Sequence, residues 1–295
     1  MGETTGKGMR RRTLRGRPAA RAALGVILAF AALAAWGEAT HAWHAARGGT
    51  APWAKVDLMS AYRAPAWGGP WLGTDGLGRD VAQRLIQGTR IAFRVGLLTA
   101  ALAVPLGLLL GCLAGYFGGR TDDAVVALYS AVAAIPGVLL ILAIALLAGK
   151  GLWGICLGVG LTTWVGLCRL ARAETLRQRA LPYVEAARVA GLSCGRILFR
   201  HILPNVTHLA VITFTLRFPA AIGTEVLLSY LGVGVQDEPS WGLMIQSARL
   251  RLWDGVWWEL ASVTAAIFLL TLAFNILGDA LRDALDPRRA TAAPA

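Results

Sequence analysis

The stretch EAARVAGLSCGRILFRHILPN, residues 185–205, lies between two strongly apolar blocks and carries Glu185, Arg188, Arg196, Arg200 and His201. Its pattern is too regular for a spacer. Pro182 suits the first turn of a helix over 182–191. Glu185 sits early in it, where a carboxylate favours the positive helix end. Ala186, Ala187 and Ala190 give a face with almost no side chain, so another protein can approach the backbone closely. Gly191 fits a C-terminal cap, because it takes a left-handed conformation at little steric cost. CGRILFRHI predicts a second short helix that stops before Leu203–Pro204, since a residue preceding proline disfavours the helical region. The product is a helix–turn–helix elbow with a small-residue knob flanked by arginines.

The surroundings of this elbow are those of a membrane protein. Of 295 residues, 56% are hydrophobic and 16% charged, against about 25% charged in soluble domains; the mean hydropathy is +0.56. The apolar residues come in long blocks with few charges: Ala22–Trp36, Val95–Phe117, Ala124–Ala148, Gly151–Cys168, Val206–Val233 (interrupted by Arg217 and Glu225) and Leu260–Gly278. A spanning helix needs about 20 residues, and in hydrocarbon the backbone must satisfy itself. An all-α integral membrane protein with about six transmembrane helices follows. The segments read as a basic tail (1–21), a first span (22–37), an external segment (38–90), a transmembrane domain (91–280) with its loop at 171–205, and a second tail (281–295).

The net charge is +12, nearly all from arginine. It sits beside the spans, where it orients them, and implies lipid rather than nucleic acid as partner. Lys7, Arg10, Arg11, Arg12, Arg15, Arg17 and Arg21 put the N-terminus in the cytoplasm. Arg169, Arg172, Arg177, Arg179, Arg188, Arg196 and Arg200 put the elbow there too. With six spans the C-terminus joins them. RRRTLRG at 10–16 also resembles a twin-arginine signal, on which the mature chain would begin near residue 43. A retained signal-anchor helix serves the five following blocks equally well.

Several chemistries find no support. AGKG at 148–151 lacks Ser or Thr after its lysine, so there is no P-loop. GVG at 158–160 lies within a span and reads as packing. His41 and His44 have no further ligands nearby. Cys112, Cys156, Cys168 and Cys194 lack metal or disulfide spacing and read as structural. No convergent nucleophile, acid or metal set is present, and no cofactor is implied.

Glu185-Ala186-Ala187, three residues, Gly191 and then Leu203-Pro204 resemble the EAA loop of permease subunits in binding-protein-dependent ABC importers. His201 stands where an isoleucine is common, as in the peptide/nickel branch. WLGTDGLGRDVAQRLIQGTRIAF (71–93), LSYLGVGVQDEPSWGLMI (228–245) and NILGDALRDALDPR (275–288) are similar to further segments of that branch. The resemblance covers roughly 71–288. It implies a type I ABC importer fold in the inner membrane, paired with a sister permease. It also implies two cytoplasmic ABC ATPase subunits and an external solute-binding protein delivering a dipeptide, an oligopeptide or chelated nickel. On this resemblance the elbow docks into the ATPase and transmits its closure. The competing class is an ion-driven secondary transporter, which leaves the elbow unexplained.

Asp75, Arg79 and Asp80 in GTDGLGRD read first as a turn whose Asp75 starts the following helix, and second as an external element that shapes the gate or receives the binding protein. Arg217 and Glu225 lie within one span, where a charge costs about 2.5–3.5 kcal/mol, so a path-lining role is their default and internal packing between two permeases the alternative. Eight residues separate them by about 12 Å on a helix, too far for a direct pair. Gly111, Gly115, Pro105, Pro136 and Gly137 supply close packing or kinks.

Overall fold

The structure, a computed structural model, describes residues 18–285. The basic tail up to Arg17 and the C-terminal tail from residue 286 lie outside the described residues. Five helices are long and apolar enough to cross a membrane, and a bent pair supplies a sixth crossing. They are α1 (Pro18–Arg47), α2 (Val81–Phe117), the pair α3 (Gly119–Ala134) and α4 (Gly137–Leu147), α5 (Leu152–Arg179), α9 (His208–Tyr230) and α11 (Trp258–Leu285). The elbow between α5 and α9 holds α6 (Pro182–Val189), α7 (Cys194–Ile197), a π-helical turn (Leu198–Ile202) and α8 (Leu203–Val206). The α9–α11 connection holds α10 (Trp241–Ala248) and a 3-10 turn (Arg249–Asp254). Among the described residues the sole β feature is an antiparallel bridge between Thr74 and Asp80.

The third span is not one helix from Ala124 to Ala148. It breaks between α3 and α4, whose axes differ by 92°. Ile135 is extended (φ −92°, ψ 134°), as a residue before proline prefers, and Pro136 opens α4. Most of the other spans exceed their apolar blocks, whereas α9 (His208–Tyr230) falls within its own. α1 runs on to Arg47, and α2 starts at Val81, so both ends of the expected external segment 38–90 are helical. At 1.5 Å per residue the 37-residue α2 is about 55 Å long, well beyond a 30 Å hydrocarbon core. Pro105 lies within α2 and Pro219 within α9, and neither interrupts its helix.

α2 and α5 form the centre, and glycine sets their separation. A Cβ on Gly111 would stand 2.5 Å from the Cys168 carbonyl oxygen and 2.8 Å from the Ala171 Cβ. On Gly115 it would meet the Arg172 carbonyl at 2.7 Å. With Gly107 opposite Leu167, a stripe at every fourth residue lets the two backbones touch. Gly158 and Gly160 do the same for Ile141 and Leu102, so the GVG stretch is packing. Cys112, Cys156 and Cys168 are buried in these contacts, whereas Cys194 is exposed.

Helix directions alternate consistently. α2 ends and α5 ends beside one another, with Arg179 Nη1 3.4 Å from where a Cβ on Gly118 would stand. The elbow hangs from that end. At the opposite end residues 48–80 and the α9–α11 connection make a cap: Trp258 Nε1 donates to the Thr74 carbonyl at 3.1 Å, and Arg251 Nε to the Tyr62 hydroxyl at 3.1 Å.

Candidate functional site

The elbow is built on its buried side. Val184, Ala187, Ile197, Leu198 and Ile202 are at most 7% exposed and pack on Leu108, Cys112 and Tyr116 of α2 and on Leu167 and Ala171 of α5. α6 begins at Pro182, with Glu185 exposed in its first turn. It ends in a Schellman arrangement. The Leu192 N–H donates to Ala187 O at 3.1 Å, the Gly191 N–H to Arg188 O at 2.9 Å, and Gly191 has φ +75°. Tyr183 donates its hydroxyl to Gln178 Oε1 at 2.8 Å, tying α6 to the end of α5.

Two details of the elbow differ from the sequence reading. Ala187 is not part of the open face: it is 7% exposed and faces the α2–α5 core. Val184 and Ala187 lie three apart, so they share the inward face, while Glu185, Ala186, Val189 and Ala190 stay exposed. Nor does the helix stop before Leu203. That residue is helical (φ −53°, ψ −44°), and α8 carries Pro204 in its first turn. The π turn just before it widens the ladder, which removes the clash a proline ring makes with the carbonyl four residues back. Leu203 packs partly on the elbow core and Pro204 is exposed.

The outward surface of the elbow is basic and apolar together. Val189 is 90% exposed and Phe199 53%, beside the exposed Arg188, Arg196 and Arg200. A surface of this kind is suited to a protein partner.

A second feature is a cavity of about 490 Å³ walled by α2, the α3–α4 break, α5 and α9. Its polar groups are the hydroxyls of Thr99, Thr162, Thr163, Thr213 and Thr224 and the guanidiniums of Arg169 and Arg217; no carboxylate lines it. Ile135 and Gly137, at the break, reach it directly. Arg217 and Glu225 therefore part company. Arg217 faces the cavity, while Glu225 is 1% exposed, outside the lining, and accepts from Ser229 Oγ at 2.7 Å. No ion pair joins the two, in line with their spacing.

Asp75, Arg79 and Asp80 come together in the cap, but not as the turn reading had it. Asp80, not Asp75, caps α2, accepting from the N–H groups of Ala82 and Gln83 at 2.8 and 3.2 Å. Asp75 is 2% exposed and holds the loop instead. It accepts from the backbones of Leu77 and Arg79 and from the side chains of Arg79 (2.7 Å) and Arg84 (2.9 Å). Three groups that sequence reasoning passed over complete the cap: Arg94 with Glu38, Arg90 with Glu238, and His41 stacked on Trp53 at 6.1 Å. Their sequence separations exceed any local pattern. Among the described residues no cluster of three or more His, Cys, Asp or Glu can hold a metal.

Known proteins are similar to this chain in sequence. The family model described as binding-protein-dependent transport system inner membrane component matches residues 107–291. The chain is 40% identical over 221 residues to the glutathione transport system permease protein GsiD of Pectobacterium atrosepticum, covering 74% of this chain and 72% of that one. It is 38% identical over 219 residues to the dipeptide transport system permease protein DppC of Bacillus subtilis (74% and 68%). It is 36% identical over 234 residues to the oligopeptide transport system permease protein OppC of the same organism (79% and 76%).

Proposed function

The chain belongs to the inner-membrane components of binding-protein-dependent transport systems, and from that premise we propose how its parts divide the work of a peptide importer. It is a multi-pass permease subunit, a transporter component that works with ATPase and binding-protein partners. In our reading it forms half of the translocation path, with a sister permease supplying the other half and closing the open side of the 490 Å³ cavity. Two cytoplasmic subunits hydrolyse ATP for it. The elbow end, with both chain termini, faces the cytoplasm, and the cap faces the binding protein.

The observation that carries this reading is the two-sided elbow. Its inner side is clamped to α2 and α5 by Val184, Ala187, Ile197 and Ile202. Its outer side offers Glu185, Ala186, Val189 and Phe199. A push on the outer side must therefore move the inner ends of the helices that wall the cavity. Glu185, Ala186 and Gly191 shape the docking surface, Ala187 anchors it from within, and Leu203 and Pro204 join it to α9. Peptides are the substrate class, supported by the relatives named for a dipeptide, an oligopeptide and glutathione.

The test is reconstitution of the chain with its sister permease, ATPases and binding protein in vesicles. Peptide-loaded binding protein should raise ATP hydrolysis and drive uptake. Uptake that follows an imposed ion gradient and ignores ATP would instead identify a secondary transporter.

A further inference from the structure

The cavity has a sign. Within the long helices, Arg84 pairs with Asp75, Arg90 with Glu238, Arg94 with Glu38 and Arg172 with Asp122. Each of these cations is neutralised by a carboxylate of the same chain. Arg169 and Arg217 form no ion pair among the described residues, and both face the cavity. An uncompensated cation inside a span is costly, so it persists only where water or a partner charge reaches it.

Two features hold these arginines in place. Arg217 lies over Gly166 of α5: a Cβ on Gly166 would stand 2.7 Å from Arg217 Nη2, so any side chain there would displace the guanidinium. Arg169, one turn further along α5, is braced over the Tyr129 ring at 4.8 Å. The remaining polar lining is neutral. Thr99, Thr162, Thr163 and Thr224 each donate their hydroxyl to a carbonyl of their own helix, which leaves oxygen lone pairs facing outward. The two guanidiniums are thus the strong donors of the cavity, and a carboxylate is their natural complement.

We propose that Arg217, assisted by Arg169, sets the charge preference of the translocation path, favouring peptides of net negative charge over cationic peptides of the same length. This rests on the importer reading above. Arg217 acts as a transient bidentate partner for a passing carboxylate, and with Arg169 it repels an unpaired ammonium.

The experiment uses the reconstituted complex and labelled tripeptides of net charge −1, 0 and +1, supplied on saturating binding protein so that each delivery step is loaded. The unmodified complex should move the anionic peptide faster than the cationic one. Arg217→Gln should lower anionic uptake on the order of tenfold, as loss of one charge contact at a dielectric near that of water implies, and leave neutral uptake within about twofold. Arg217→Glu should reverse the order. Gly166→Leu should mimic Arg217→Gln with every charge retained. If Arg217→Gln lowers uptake of all three peptides equally, or releases the sister permease on purification, the arginine is an interface residue and the inference falls. An unchanged order in Arg217→Glu sinks it as well. Hydrolysis stimulated by loaded binding protein, read on the same vesicles, reports on the importer reading separately: its absence in the unmodified complex refutes that reading itself.

Discussion

The N–H of Leu192 donates to the carbonyl of Ala187 across 3.1 Å, closing α6 over Gly191 at φ +75°. Nothing lies within 4 Å of where a Cβ on Gly191 would stand, so strain there is purely backbone strain. A β-branched residue at that angle costs about 1–2 kcal/mol or more. Gly191→Val should therefore reshape the elbow without touching a span. The variant should insert normally, yet its stimulated ATP hydrolysis should drop severalfold. Gly191→Asn, which tolerates the left-handed region, should retain most of it.

The α2–α5 contact is predicted to tolerate nothing larger than glycine. Gly111→Leu drives a side chain into the Cys168 carbonyl and the Ala171 methyl, and neither backbone can retreat without parting the two helices. Overpacking of this kind costs about 1–3 kcal/mol. Thermal unfolding in detergent should show a clear loss for Gly111→Leu and Gly115→Leu. Gly137→Ala, where a Cβ would meet nothing within 4 Å, should leave the midpoint nearly unchanged.

Asp75 and Asp80 separate a buried hub from a helix cap. Removing Asp75 strands Arg84, whose side chain is 5% exposed. Breaking a buried pair from one side costs about 3–5 kcal/mol. Removing Asp80 loses a cap worth about 1 kcal/mol. Asp75→Ala should open residues 48–80 to protease added outside the cell, whereas Asp80→Ala should resist cleavage nearly as the parent does. Equal cleavage of the two variants would refute the hub.

Much of this architecture is legible in the chain because hydropathy is a local signal. Long apolar blocks mark the spans, and Pro182, Gly191 and the small residues between mark α6. What escaped depends on partners distant in sequence. Ile135–Pro136 reads as a kink or as nothing; that it is a 92° break depends on how α4 packs against α5. α2 begins 14 residues before its apolar block, where Gln87, Arg90 and Arg94 find partners in Gly37, Glu238 and Glu38. The cavity draws its hydroxyls and guanidiniums from separate helices, so no spacing announces it. The burial of Ala187 was readable: Val184 and Ala187 repeat at helical spacing, but three alanines obscured the pattern.

Orientation has a direct test. In a chain freed of its four cysteines, Arg177→Cys lies on an exposed side chain at the elbow end and Ala66→Cys in the exposed cap loop. An impermeant thiol reagent added to intact cells should label position 66 and spare position 177. Labelling at 177 would invert the proposed topology.

Adjacent alanines on α6 separate docking from folding. Ala186 is exposed and Ala187 is buried against α2 and α5. Ala187→Trp must force an indole into a packed core, at about 1–3 kcal/mol. It should lower the unfolding midpoint and loosen the elbow. Ala186→Trp adds the same bulk on the outer surface, where nothing of this chain opposes it. That variant should melt with the parent and still purify with its sister permease. If the exposed side of α6 is seated in the ATPase, Ala186→Trp should nonetheless release the ATPase subunits on purification and abolish peptide uptake. Val189→Asp, which replaces a side chain 90% exposed in the free chain, should give the same separation of stability from coupling. Should Ala186→Trp and Val189→Asp both retain the ATPases and transport at the parent rate, this face of the elbow is not where force enters the membrane helices.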